Sequence, residues 1–253
     1  MTAASQGTVG IGYNTLAALT SGASNTAVGY TAGTAITTGE RNTILGYEAL
    51  DGGSTEVDDN TAIGFRAMTG AIGTEAVNDC VAIGSYALYG ALEEEASGTI
   101  AIGVTTLGAL TSGAGNVAIG YQAMLEHTTG GLNTCYGYQT MYSTNAGGNS
   151  LGSQRNTFMG YQSGSGTWEN TAASDENVGI GYLALNGALD DADNNTVVGA
   201  SAGRTITTGD NNSIFGNGAE PSAAGAANQT VVGAGTTGQA DNSVTLGNAS
   251  VTA

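Results

Sequence analysis

The sequence predicts an all-β fold, a β-solenoid of about fourteen short coils. The first observation is a five-residue phrase (Asn, Thr or Val, a small residue, an aliphatic residue, Gly) that returns throughout the 253 residues. A short unit that recurs along the whole chain at nearly constant spacing is typical of solenoids, in which each unit stacks on the next. The second observation is that Gly reaches 43 residues without the every-third-residue period of collagen. We therefore predict one repeat domain spanning residues 1–253.

The Gly that ends the phrase, called the corner glycine below, is the reference from which positions in each repeat are counted. Most intervals between corner glycines are 17 or 18 residues. We predict acidic insertion loops near 51–60, 70–80, 89–99, 142–156, 164–177 and 186–195, four of them in the longer intervals of 19 to 23 residues. At about 4.8 Å per coil, the repeats predict a rod about 65 Å long. The corner glycines are Gly12, Gly29, Gly46, Gly64, Gly84, Gly103, Gly120, Gly137, Gly160, Gly181, Gly199, Gly216, Gly233 and Gly247.

Position −4 is Asn in nine copies. Asn tolerates left-handed backbone, and amide side chains stacked from coil to coil can form a hydrogen-bonded ladder. We predict such a structural ladder at Asn25, Asn42, Asn60, Asn116, Asn133, Asn156, Asn177, Asn195 and Asn212.

Positions −2 and −1 are both apolar, and in a strand they point to opposite faces. Position −1 is always large, as at Ile83, and position −2 is mostly small, as at Ala82. Apolar residues on both faces indicate a sheet that is covered on both sides. A coil of 17 residues covers only one face by itself, so the pattern predicts self-association.

Apolar residues also follow the corner glycine. Position +1 is aromatic in eight copies, as at Tyr30, and position +4 is Leu or Met in eight copies, as at Leu16. We interpret them as a second strand in each coil. The aromatic column is interpreted as a stacked structural ladder, with a glycan-binding stripe as the alternative.

The repeats NTAVGYTAG, NTILGYEAL, NTAIGFRAM and NVAIGYQAM resemble the head repeats of trimeric autotransporter adhesins and related repeats of tailed-phage fibres. The resemblance covers nearly the whole chain and implies a left-handed β-roll that forms a homotrimer through the second apolar face. The segment NSVTLGNASVTA, residues 242–253, resembles the stretch that precedes an endosialidase-type intramolecular chaperone in phage fibres.

This resemblance implies a structural and adhesive segment of a tailed-phage fibre or spike, located on the virion. Its expected partners are two further copies, other virion proteins and a host cell-surface glycan or protein. The sequence shows no extended signal peptide and no β-barrel anchor, which favours a virion protein over a bacterial surface protein. The alternatives are a capsid decoration protein with a purely architectural role and, less favoured, a polysaccharide depolymerase.

The charge and hydropathy of the chain argue against two kinds of partner, nucleic acid and the interior of a membrane. The net charge is −17, with four Arg and no Lys, which argues against nucleic acid. No apolar run is long enough to insert into a membrane. We predict no catalytic residue, no cofactor and no metal site; calcium binding by the acidic insertions is the alternative to a solvated rim.

The insertions supply the candidate receptor contacts. Trp168 could anchor a receptor or fold back over its coil. The candidate set is Trp168, Glu169, Glu93, Glu94, Glu95, Asp190 and Asp191. Cys80 and Cys135 lie three repeats apart and are predicted to be free, buried thiols, and His127 is predicted to be a loop residue.

Overall fold

The structure, a computed structural model, describes residues 6–52, 56–70, 76–144, 152–168 and 172–250. The chain forms two compact units, unit 1 (Met1–Gly131) and unit 2 (Leu132–Ala253). Both are built from the same repeat. The single domain predicted from the sequence stays a prediction.

Every strand in the described residues is three residues long and covers positions −3 to −1 of its repeat. A 3-10 turn lies at Glu94–Ala96. The strands of unit 1 are β1 (Val9–Ile11), β2 (Thr26–Val28), β3 (Thr43–Leu45), β4 (Thr61–Ile63), β5 (Val81–Ile83), β6 (Ile100–Ile102) and β7 (Val117–Ile119). Those of unit 2 are β8 (Thr134–Tyr136), β9 (Thr157–Met159), β10 (Val178–Ile180), β11 (Thr196–Val198), β12 (Ser213–Phe215), β13 (Thr230–Val232) and β14 (Val244–Leu246).

Within each unit, consecutive strands pair in parallel and in the order of the chain. The register is the same at every pairing, so equal positions of the repeat face each other, as with Ala62 and Ala82 or Ile63 and Ile83. This arrangement confirms the predicted all-β parallel solenoid. Handedness and the number of copies remain predictions.

The corner glycine is required by both backbone conformation and space. Gly64 has φ 136°, a value that side-chain-bearing residues rarely adopt. A Cβ built on Gly64 would lie 2.6 Å from the carbonyl oxygen of Gly84 in the next coil. Only Gly therefore allows neighbouring coils to approach this closely.

The segment after the corner glycine is not the second strand that the sequence suggested. In the first coil, Asn14 and Leu16 both have φ 51°, while Tyr13 before them and Thr15 between them do not have positive φ. The backbone thus alternates between right-handed and left-handed conformations. It still bonds to its neighbours, since Leu16 N donates to Ala32 O at 3.0 Å. Left-handed Leu costs about 1–2 kcal/mol, and this cost is offset because the side chain is buried.

The core of each coil is filled by position −2 together with side chains from the rest of the turn. Ala27, Ala62 and Ala82 are fully buried at position −2. In β9 this position is Phe158, and the next coil has Gly179 at the equivalent place. A Cβ on Gly179 would lie 2.6 Å from the Phe158 ring. A large residue in one coil is therefore matched by a missing side chain in the next.

His127 lies in a loop, as predicted, but its side chain is buried in this core, which the sequence did not predict. It is 1% exposed and stands at position +7, where other coils bury Ile36, Leu110 and Ile206. Its Nε2 is 3.0 Å from the carbonyl oxygen of Gly130. Burial lowers the pKa of His127 from 6.5 to about 4, because the charged form would lose its hydration.

Candidate assembly interface

Position −1 forms an outward column of large apolar side chains in each unit. In the parallel register, each of these residues faces the position −1 residue of the next coil. In unit 1, Ile11 is 59% and Leu45 48% exposed, and the other five members are half-buried. The unit 1 column is Ile11, Val28, Leu45, Ile63, Ile83, Ile102 and Ile119.

Unit 2 has an outward column of the same kind but of mixed sizes. Tyr136 is 56% exposed, Met159 44% and Phe215 39%. The strand register again places each of its members beside the next. The unit 2 column is Tyr136, Met159, Ile180, Val198, Phe215, Val232 and Leu246.

The two apolar faces of the strand have different environments. Ala82 at position −2 is fully buried inside the coil, whereas Ile83 at position −1 is half-exposed. The coil therefore covers the inner face itself, and the outer face of the chain is accessible. A contiguous row of exposed apolar side chains is typical of an interaction site.

A column of stacked aromatic rings lies beside the outward column, because only the corner glycine separates positions −1 and +1. In unit 1, Tyr30 and Tyr47 have ring centroids 5.1 Å apart and planes 7° from parallel. In unit 2, Tyr138 and Tyr161 are 5.2 Å apart at 4°. Stacking occupies the ring faces and leaves edges and hydroxyls outward. A sugar that stacks on an aromatic ring needs a free face, so the geometry favours a structural ladder.

The amide ladder predicted at position −4 is present and fully buried. In unit 2, Asn195 Oδ1 accepts hydrogen bonds from the backbone N and from Nδ2 of Asn212, at 3.1 and 2.9 Å. Asn195 Nδ2 also donates to Gly209 O at 2.7 Å. In unit 1, Cys80 and Thr99 stand at this position, and Thr99 Oγ1 is a buried hydroxyl without a hydrogen-bond partner. The ladder fixes the spacing of the coils behind the outward column.

Trp168, predicted as a possible receptor contact, is instead inside the coil. It is fully buried, its Nε1 donates to Gly164 O at 3.1 Å, and its ring meets Phe158 edge to face. The alternative, that it folds back over its coil, is the one observed. The core beside Phe158 has room for the indole, and burial of its apolar surface outweighs exposure on a loop.

The other candidate contacts are divided between the two units. Glu93 and Glu95 are exposed in unit 1, while Asp190 is half-exposed and Asp191 exposed in unit 2. Glu94 lies in the 3-10 turn, and its side chain is outside the described part of the chain. Glu169 also lies outside the described residues.

A column of carboxylates in unit 2 was not found from the sequence. Asp175 and Asp193 accept backbone N–H bonds from Gln154 and Asp175 at 2.8 and 2.7 Å, and Asp210 continues the column. Burial, helped by the neighbouring carboxylates, raises the pKa of Asp193. The sequence signal that could have revealed this column is that these Asp residues recur at intervals of one coil. Among the described residues, no group of three or more His, Cys, Asp or Glu could hold a metal ion.

The two thiols are free and buried, as predicted. Burial raises the pKa of Cys80 to about 11 and also raises that of Cys135. Within the described ranges there is no helix with the length and apolar character needed to cross a membrane.

No family model matches this sequence, and comparisons with curated proteins and with solved structures give no significant match.

Proposed function

We propose that this chain is a non-enzymatic, structural and adhesive segment of a tailed-phage fibre or spike, in which three copies form the rod. The observation that carries the proposal is the outward apolar column of each unit, which every strand of that unit extends. The resemblance of the repeats to adhesin heads and phage fibres supplies the number of copies and the setting on a virion.

The outward column supports assembly because the free energy falls when another surface removes exposed apolar side chains from water. A stable interface takes about 800 Å² from each partner. Half of an aromatic side chain is about 100 Å², and the aromatic residues at position +1 are about half-exposed in both units. In each unit, the aromatic column therefore adds several hundred Å² to the exposed apolar area of the outward column.

The environments of the nucleophilic side chains support a role without catalysis. A thiol with a pKa near 11, as in Cys80, has almost no thiolate at neutral pH. His127 is enclosed in the core of its coil. Neither side chain is positioned to reach a substrate.

Three assays with the purified full chain test the functional setting. Binding to host cells is expected, together with no release of reducing sugar from the host envelope polysaccharide. Ile83→Asp, which places a charge in the outward column, is the matched variant and should lose cell binding if assembly is needed for adhesion. Binding to purified capsids but not to cells would replace the proposal by capsid decoration, and sugar release would replace it by a depolymerase.

A further inference from the structure

The two outward columns differ in how strictly they define the alignment of neighbouring copies. In unit 1 the column contains only Ile, Val and Leu. Sliding one copy past another by one coil would replace aliphatic contacts by aliphatic contacts. A uniform column therefore specifies the register weakly, as uniform strands and heptads do.

The unit 2 column is uneven in size. Tyr136 pairs with Met159, and Phe215 lies between Val198 and Val232. A displacement of one coil would bring Phe215 of one copy to the level of a Val in the next. Such a displacement changes the volume of every layer at these positions, and tightly packed interfaces are sensitive to volume changes of this size.

Register matters because it decides whether the assembly closes. This step rests on the proposed three-copy rod. A three-fold axis keeps all copies parallel and at the same height. If each copy were displaced by one coil relative to the last, the third could not meet the first, and a head-to-tail contact that does not close grows into an open assembly.

We propose that Tyr136, Met159 and Phe215 set the register of the copies, so that equal coils of unit 2 meet at the same height and the assembly closes at three chains. Their role is to position the copies. The aliphatic column of unit 1 adds buried area without choosing among registers.

Single cysteines on the outward column measure the register directly. Chains carrying Ile180→Cys and chains carrying Val198→Cys are coexpressed and oxidised with oxidised glutathione, and the disulfides are assigned by mass spectrometry. Ile180 and Val198 are neighbours in the column of unit 2. In-register copies give 180–180 and 198–198 disulfides, whereas a one-coil displacement gives 180–198. Ala224→Cys, at an exposed position outside the column, should form few interchain disulfides.

The proposal is tested by making the unit 2 column uniform with Tyr136→Ile, Met159→Ile and Phe215→Ile. The ratio of displaced to in-register disulfides should be low in the wild-type background and approach unity in the uniform one. Light scattering should then show masses above three chains. Tyr136→Phe, Met159→Leu and Phe215→Tyr keep the size pattern and should behave as wild type, with circular dichroism confirming that both variants fold.

Each possible failure has a separate meaning. If the uniform variant keeps a closed trimer with in-register disulfides, these three residues do not set the register. If the size-preserving variant loses register, the sizes of these side chains are not what sets it. A closed wild-type trimer that does not bind cells would contradict the proposed adhesive role and leave the register proposal standing. A monomeric wild type would overturn both.

Discussion

At the residue scale, the most important side chains are those that repeat once per coil. The buried amides at position −4 satisfy backbone groups of the adjacent coil, so that each Asn serves two coils at once. The sequence predicted this ladder because Asn recurs at one position. It did not predict the burial of His127, because a single polar residue in a polar stretch carries no periodic signal.

Asn195→Ala should lower the free energy of unfolding by about 2–4 kcal/mol, since it leaves the Gly209 carbonyl and the Asn212 amide buried without their partner. The check is denaturant unfolding at a fixed protein concentration, because assembly makes stability depend on concentration. Asn217→Ala, at an exposed residue of a neighbouring coil, is the control and should change little. Equal effects of the two substitutions would contradict the structural ladder.

His127 should make the fold sensitive to acid. Its pKa is about 4 in the folded chain and 6.5 as an ordinary histidine, so the unfolded chain binds more protons between these values. Stability should therefore fall as the pH falls from 6.5 to 4, by about 3 kcal/mol for this group. His127→Leu, which restores the residue type of other coils, should remove that part of the dependence. Thermal unfolding from pH 7 to pH 4 measures it, and an unchanged pH dependence in the variant would refute the assignment.

At the element scale, each coil consists of one strand, a glycine corner and an arm of alternating handedness. Gly64→Ala should destabilise the fold by more than about 3 kcal/mol, through an unfavourable φ and a clash with the next coil. Gly98→Ala is the matched control, because Gly98 also has a positive φ, 71°, but has nothing within 4 Å of an added Cβ. Its cost should be about 1 kcal/mol. Chemical unfolding of both variants compares the crowded corner with an open glycine in the left-handed region, and equal costs would show that coil spacing does not require the corner glycine.

The strand and the corner could be predicted from the sequence, and the arm could not. Position −1 and the corner glycine recur without exception, so their structure follows from period and residue type. Tyr13 and Leu16 are typical of strands or helices, and nothing in their identity indicates the left-handed conformation of Leu16. That conformation arises from bonding to the neighbouring coil, which propensity does not include. Trp168 is a similar case, because the space beside Phe158 exists only in the folded coil.

At the scale of the whole molecule, the coil itself covers the inner apolar face of each strand and leaves the outer apolar face accessible. The sequence predicted both apolar faces and the need for a partner, but it did not distinguish which position faces inward. The structure assigns small residues such as Ala82 to the inside and Ile83 to the outside. A charged residue in place of Ile83 therefore tests assembly and leaves the core of the coil unchanged.

The molar mass in solution, measured by light scattering behind a sizing column, tests the central claim most directly. The wild-type chain should have three times its monomer mass of 24.8 kDa. Ile83→Asp should shift the mass toward 24.8 kDa while circular dichroism shows the coils intact, because the substitution places a charge on the outward column. A wild-type chain that is monodisperse at 24.8 kDa over the accessible concentration range would contradict the account.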